Sequence, residues 1–384
     1  VVLERARVGE RWRTERWKSL RFQFPNVYVR LPGLEYDGDD PAGFMSSDDV
    51  VQVLERYANH ISAPVRSGVN VRSVGRKADG TFTLTCETFS VEAHNVVLAT
   101  GPYQRPVVPE ISARFPPHVT QLTASTFTDA ESLPTGAVLV VGSGGSGVQI
   151  AEDLIDAGRR VYLCVGSHRR VPRRHRGRDV TDWFEELGML AAPIIDRPEI
   201  DHAPLLTGVD GGHDIDLRDL AARGGQLLGR LHEVDNERLV LGDNLLEDIE
   251  HGDRSFNGTL AVLDARIAAL GVDAPEPPPT PPENRPMPPP SPSSLDIHDA
   301  GITSVIWATG YRLDFSWVSC SEFDADGAPV HERGVTSVAG LYCLGLPNLH
   351  SARSTVFWGV GDDADYLAEH LVARMTGASE TGAG

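Results

Sequence analysis

The chain has 384 residues, 41% hydrophobic, 23% charged and 7% aromatic, enough to bury a core in two or three units and unlike a disordered, collagen-like or disulfide-scaffold protein. Its 35 lysines and arginines face 54 acidic residues. The formal charge of −19 repels nucleic acid and anionic membrane on average, so any anion site must be local. No apolar run reaches the roughly 20 residues that span a bilayer, and Cys86, Cys164, Cys320 and Cys343 stand too far apart for a dithiol motif or zinc knuckle; these features lead us to expect a cytoplasmic protein with reduced thiols.

Val1 to Glu4 reads as a strand ending in a carboxylate. Ser46-Ser47-Asp48-Asp49 ahead of Val50, Val51, Leu54, Tyr57 and Ala58 is an N-cap followed by apolar residues at helical spacing, which predicts a helix to about His60. Short alternating runs at 69–71, 82–86 and 89–91 predict a small antiparallel meander. Val96-Val97-Leu98 then runs into Ala99-Thr100-Gly101-Pro102, a strand closed by a tight turn.

The strongest pattern follows. Ala137 to Val141 is an apolar strand opening onto Gly142-Ser143-Gly144-Gly145-Ser146-Gly147. A helix is expected from about Val148 to Ala157 and a second strand from Val161 to Val165, a βαβ unit in about thirty residues. In that context G-x-G-x-x-G has a physical meaning. Gly142 permits the tight turn, Gly144 lets backbone approach a pyrophosphate, Gly147 lets the helix pack on the strand, and the helix N-terminus faces the phosphates. An NAD site wants a carboxylate after the second strand. Here Gly166-Ser167-His168 leads instead into Arg169, Arg170, Arg173, Arg174, Arg176 and Arg178, and guanidinium forks suit the 2′-phosphate of NADP(H). Arg169, Arg170 and Arg173 are the candidates for that contact.

Leu227-Leu228 and Leu239 to Leu241 read as short strands, and Asn244 to about Leu270 as mostly helix. Residues 275–292 hold 11 of the 27 prolines and predict a polyproline-like loop or linker. Order returns at Ser304 to Tyr311, a strand that ends in a second Ala-Thr-Gly, Ala308-Thr309-Gly310. A strand within Gly340 to Gly345, a helix near Asp362 to Met375 and a small, polar, frayed tail at 376–384 complete the expected elements.

Two Ala-Thr-Gly strand ends flank one G-x-G-x-x-G unit. Together with Gly9-Glu10-Arg11-Trp12-Arg13, Arg16-Trp17-Lys18-Ser19-Leu20-Arg21, Leu31-Pro32-Gly33, Pro172-Arg173-Arg174-His175-Arg176-Gly177 and Ser354-Thr355, they resemble the flavin-containing monooxygenase-like flavoproteins over nearly the whole chain. The resemblance implies an α/β fold of two doubly wound, Rossmann-like dinucleotide-binding domains, three-layered and with a small antiparallel meander. The NADP domain, residues 106–301 with a helical, proline-rich insertion at about 244–300, is expected to be inserted into an FAD domain formed by 1–105 and 302–384. The resemblance also implies FAD and NADPH as cofactors and a small-molecule substrate with O2 as partners. By the same resemblance, Glu4 is expected to hold the FAD adenosine ribose, and Trp12 and Arg13 to pass the flavin's phosphate and ribityl region, with Val71 in the same site. Ala99, Thr100 and Gly101, like Ala308, Thr309 and Gly310, are expected to mark crossings between the domains. His350, Ser354 and Thr355 are expected near the isoalloxazine and Asn26 at its edge, with Asn26 and His350 the candidates for a catalytic role; Asn26 reads more readily as a turn former, and Ser354 or Thr355 equally as a helix cap.

Two departures from the family pattern bear on function. The glycine turn that such proteins use for FAD belongs roughly 20–25 residues ahead of Val1, which leads us to expect a native chain that begins earlier. The F-x-G-x-x-x-H of amine and Baeyer–Villiger monooxygenases is replaced by Phe115-Pro116-Pro117-His118-Val119-Thr120-Gln121. The implied chemistry is hydride delivery from NADPH to flavin and reaction of reduced flavin with O2, so the cofactors carry the reaction and no Ser, His or Cys triad is expected. An NADPH-dependent monooxygenase is the first reading. An NADPH oxidase or reductase without oxygen insertion, favoured by the altered motif, and a non-catalytic nucleotide-binding fragment are the alternatives.

Overall fold

The computed structural model describes residues 1–193, 203–277, 285–325, 327–347 and 349–376. The outer domain opens with β1 (Val2–Leu3), a short helix α1 (Glu10–Thr14) and α2 (Ser47–His60). α2 begins where the Ser46 hydroxyl accepts the Asp49 N–H and the Asp49 carboxylate accepts the Ser46 N–H, a reciprocal cap for two otherwise orphaned donors. β2 (Val65–Arg66) pairs in parallel with β1. The expected meander is β3 (Val71–Arg76), β4 (Phe82–Cys86) and β5 (Ser90–Ala93), antiparallel throughout, with Val74 and Phe82 fully buried. After β6 (Val96–Leu98) the chain leaves this domain through β7 (Arg105–Pro106).

The central domain contributes β8 (Thr120–Thr123), β9 (Ala137–Val141), α3 (Gly145–Asp156), β10 (Val161–Cys164), β11 (Arg169–Arg170), the hairpin β12 (Arg174–His175) and β13 (Arg178–Asp179), and α4 (Val180–Glu186). It continues with β14 (Pro204–Leu205), α5 (Leu217–Ala222), β15 (Gln226–Leu228), β16 (Leu231–Asp235), β17 (Arg238–Leu241), the 26-residue α6 (Leu245–Leu270), β18 (Ser294–Asp296) and β19 (Ile302–Trp307). Its main sheet has the order β15-β10-β9-β19-β8, all parallel. All five residues of β9 are buried because both faces are covered. Val138 and Val140 meet α3, α5 and α6 through Ile150, Leu154, Leu217 and Ile249 on one side. Ala137, Leu139 and Val141 meet Val234, Leu239 and Leu241 of the antiparallel β16-β17-β18 sheet on the other. Three layers result.

The chain returns through β20 (Tyr311–Arg312), which pairs antiparallel with β7, so the outgoing and incoming crossings run side by side. β21 (His331–Glu332), β22 (Val335–Thr336) and β23 (Leu341–Cys343) then join β6 in the order β21-β22-β23-β6, and α7 (Val360–Thr376) closes the outer domain. One expectation is corrected here. The sequence pattern places residues 302–307 in the outer domain, but β19 lies between β9 and β8 of the central sheet. The return therefore begins at Gly310, whose φ of +90° turns the chain, and not at 302. The proline-rich stretch falls partly at 278–284, outside the described residues, as does most of the expected frayed tail, 377–384. Its described part folds back on the central domain: Arg285 pairs with Asp216 and Asp219. No helix among the described residues is long and apolar enough to cross a membrane.

Candidate dinucleotide site

The glycine turn after β9 divides into two kinds of position. At Gly142, φ is +108° and an added Cβ would lie 2.5 Å from the Ala308 carbonyl oxygen; at Gly147 it would lie 1.8 Å from the Gly142 oxygen and 3.2 Å from the Ala308 Cβ. Packing forbids a side chain at both. At Gly144 and Gly145, by contrast, nothing lies within 4 Å of the same position, so the turn presents bare backbone to open space. α3 starts there with Gly144 as its N-cap and no capping side chain, leaving its first amide donors directed at that space. A cradle closed behind and open in front, with helix N–H groups aimed into it, fits a dinucleotide pyrophosphate.

The second Ala-Thr-Gly is part of this cradle. The Ala308 N–H donates to Val141 O at 2.9 Å, and Thr309 Oγ1 donates to Val107 O on the outgoing crossing. Ser143 ties the turn to the end of β10: its hydroxyl donates to Gly166 O at 2.9 Å and accepts the Gly166 N–H at 3.1 Å. That hydroxyl is spent on structure, which leaves backbone as the part of Ser143 available to a ligand.

The arginine loop differs from expectation. Arg170 and Arg173 were candidates for the 2′-phosphate, yet both are buried. Arg170 donates to Ile215 O and pairs with Asp216 and Asp253. Arg173, 1% exposed, forms a fork with Asp179 and donates to Gln23 O at 2.8 Å, while its guanidinium stands 5.2 Å from the Phe44 ring centre. A buried guanidinium needs such partners, and with them it cannot reach a nucleotide. Arg174 donates to Gly211 O and Gly212 O, Arg176 pairs with Asp264, and Arg178 pairs with Glu186. Arg169 precedes Arg170 on β11 and is only partly buried, because successive strand residues point to opposite sides. His168 is enclosed, with Nδ1 3.1 Å from Gly166 O, and burial pushes its imidazole below its ordinary pKa.

In the outer domain, Glu4 stands at the end of β1, where its carboxylate accepts the Ala6 N–H at 2.9 Å. Trp12 packs edge-on against Phe22 at 5.8 Å and near Phe357 at 6.4 Å, with Arg16 5.1 Å above its ring. Arg13 pairs with Glu55, and its buried Nε has no hydrogen-bond partner. Val71 heads β3 opposite Cys86. Thr100 and Gly101 share Gln104, whose Nε2 donates to Thr100 Oγ1 at 3.0 Å and to Gly101 O at 2.9 Å; Ala99 beside them is exposed. Asn26 is buried; Nδ2 donates to Asp40 O at 2.9 Å and its main chain bonds Gly43 O, the turn-anchoring use of an asparagine. Ser354 is fully buried. Its hydroxyl accepts the N–H groups of His350 and Ser351 and caps the short 352–355 turn, not α7, while Thr355 is exposed.

Several residues that no motif marked hold the two domains together. Gln104 is one: besides its bonds to the first crossing, its Oε1 accepts the Asp314 N–H at 2.7 Å on the return. On α4, Asp182 accepts the Tyr28 hydroxyl at 2.7 Å and Glu185 accepts the Trp358 indole N–H at 2.7 Å. Burial and Asp182 together push the Tyr28 phenol far above its ordinary range. Their only sequence signal was proximity to Ala-Thr-Gly or to aromatic residues.

Comparison with known proteins agrees with this architecture. A family model described as pyridine nucleotide-disulphide oxidoreductase matches residues 2–186. An oxidoreductase of Geobacillus kaustophilus termed CzcO-like is 30% identical over 374 residues, spanning 97% of this chain and 90% of the relative. The indole-3-pyruvate monooxygenase YUCCA8 of Oryza sativa is 25% identical over 395 residues, 97% of this chain and 85% of its own length. Among solved structures, a flavin-containing monooxygenase from Stenotrophomonas maltophilia superposes with a TM-score of 0.64 at 16% identity, covering 97% of this chain and 91% of that one. The bacillithiol disulfide reductase from Bacillus cereus gives 0.60 at 14% identity, with the same coverage. The chain thus belongs to the CzcO-like oxidoreductases, and it shares the fold of the flavin-containing monooxygenases.

Proposed function

We propose that the protein is an NADPH-dependent monooxygenase of a small organic molecule, consuming O2 and releasing water. The observation that carries this reading is the contact of Ala308 with Gly142 and Gly147, which seats the dinucleotide cradle at the return crossing, where the central domain meets the outer one. Bound FAD supplies the redox chemistry. The chain's part is placement. The Gly142–Gly147 turn and the α3 N-terminus hold the NADPH pyrophosphate, and Arg169 offers its charge to the 2′-phosphate. On the flavin side, Glu4 receives the adenosine ribose, and Trp12 and Arg13 flank the phosphate and ribityl region. The Trp12, Phe22, Phe24, Phe357 and Trp358 cluster excludes water from that side.

One observation favours the alternative of an oxidase or reductase. Gln121, at the position of the motif histidine, is committed to structure: it donates to Ser112 O at 3.0 Å and accepts the Trp307 indole N–H at 2.9 Å. The FAD-loaded protein, given NADPH, ¹⁸O-labelled O2 and thioanisole as a generic oxygen acceptor, separates the readings. Labelled sulfoxide in proportion to NADPH consumed supports oxygen insertion. Peroxide equal to NADPH consumed, with no label in the acceptor, overturns it in favour of the oxidase. NADH consumed as readily as NADPH contradicts the nucleotide assignment.

A further inference from the structure

With Arg170 and Arg173 turned inward, the positive charge for a 2′-phosphate must come partly from elsewhere. The sheet register shows where. β10 and β15 are parallel neighbours with Cys164 opposite Leu228, so Gly166 and Arg230, two residues further on, leave the sheet side by side at its carboxyl end. Gly166 is bound through both its N–H and its C=O to Ser143 of the glycine turn. The adenosine ribose of a dinucleotide lies at this end of the second strand in a βαβ unit. A Cβ added to Gly166 would meet the Arg230 Nη2 at 3.6 Å and Nε at 3.9 Å, so the guanidinium hangs over the bare backbone of that strand end.

Arg230 is also held in place. Its N–H donates to Asn244 Oδ1 at 2.8 Å and its carbonyl accepts the Gly242 N–H at 2.8 Å, while Asn244 Nδ2 reaches Val165 O at 3.1 Å. Only the main chain is spent. The side chain is exposed, and among the described residues no hydrogen bond or ion pair engages its guanidinium. Arg170, Arg173, Arg174, Arg176 and Arg178 are all engaged with protein oxygens. In a chain of net charge −19, an exposed cation beside a nucleotide turn, with no partner among the described residues, is a local anion site.

We propose that Arg230, just past the end of β15 at the edge of the central sheet, binds the 2′-phosphate of NADPH and with it sets the preference over NADH. The proposal rests on the nucleotide cradle assigned above. Its planar fork suits a bidentate grip on phosphate oxygens, which a lysine cannot reproduce. The test is calorimetric titration of the FAD-loaded protein with 2′,5′-ADP and with 5′-AMP, which differ at this site by the 2′-phosphate alone. The unaltered protein should favour 2′,5′-ADP. Arg230→Ala should weaken 2′,5′-ADP roughly tenfold or more and leave 5′-AMP within about twofold, and Arg230→Lys should fall between. An unchanged melting temperature in both variants separates ligand binding from folding. If the unaltered protein prefers 2′,5′-ADP and Arg230→Ala keeps that preference, Arg230 is not a ligand, though the NADPH assignment stands. If the unaltered protein shows no preference, the NADPH assignment itself fails and takes this proposal with it.

Discussion

The glycine turn at 142–147 and the arginine loop at 168–178 lie within one βαβ unit of each other, and both carry a sequence pattern associated with dinucleotides. The turn has the geometry its glycines predict; the loop is largely turned inward. The difference lies in what each pattern depends on. Glycines act through the backbone conformation and close approach they permit, and both follow from the residue type itself. An arginine acts through wherever its long side chain ends. Asp216 and Asp253, distant in sequence, draw Arg170 into the interior, and Asp179, across the 174–179 hairpin, does the same to Arg173.

The strongest way to break this comparison is Arg173→Ala. It leaves Asp179, 9% exposed, as a buried carboxylate without its fork, and is expected to cost about 3–5 kcal/mol in a denaturant melt. A loss below about 1 kcal/mol would mean that Arg173 is free to serve a ligand after all. Gly147→Ala comes next. Its methyl would sit 1.8 Å from a backbone oxygen that cannot swing away, so a destabilisation of about 3 kcal/mol is expected from the same measurement.

A smaller effect sharpens the comparison, because the loop that joins the two regions carries a titrating pair. His213 lies 3.0 Å from Glu152 on α3, and the neighbouring Asp214 accepts the Arg173 N–H. The hydrogen bond to Glu152 raises the His213 pKa. Burial pushes the Glu152 carboxyl up, but His213 and Arg223 together outweigh it and hold it below its ordinary value. The pair's stabilisation is therefore fullest between the ordinary carboxylate value and the ordinary imidazole value. It is lost as pH rises through the raised pKa of His213, and also as pH falls through the depressed pKa of Glu152. His213→Gln should flatten the fall in stability on the alkaline side of neutrality, by less than about 1 kcal/mol because the His213 side of the pair is 36% exposed. An unchanged pH profile of the melting temperature would contradict it.

The same distinction explains what was legible in the sequence. β9, α3, α6 and the 71–93 meander follow from periodicity, buried runs and turn residues. Their bounds lie within a few residues of expectation, and the Ser46 cap of α2 forms as its residues predict. The boundary at 302 failed because an apolar strand ending in Ala-Thr-Gly reads alike in either domain; only pairing with β8 and β9 assigns it. β7 and β20 are two residues each, too short for any period, and are held by partners such as Gln104 that only the folded chain brings near. Of the candidate site, the backbone half was readable and the side-chain half was not: Ser143 and Ser354 spend their hydroxyls on structure.

The central claim is that the open face of the 142–147 turn receives the dinucleotide pyrophosphate, and Gly144→Ala tests it most directly. The position has an ordinary φ of −72° and nothing within 4 Å of an added Cβ, so the melting temperature should stay within a degree or two of the unaltered protein's. The added methyl stands where the pyrophosphate must approach, so NADP+ binding, followed by calorimetry, should weaken by at least about tenfold. Unchanged NADP+ affinity in a stably folded Gly144→Ala protein would show that the cradle lies elsewhere and contradict the account.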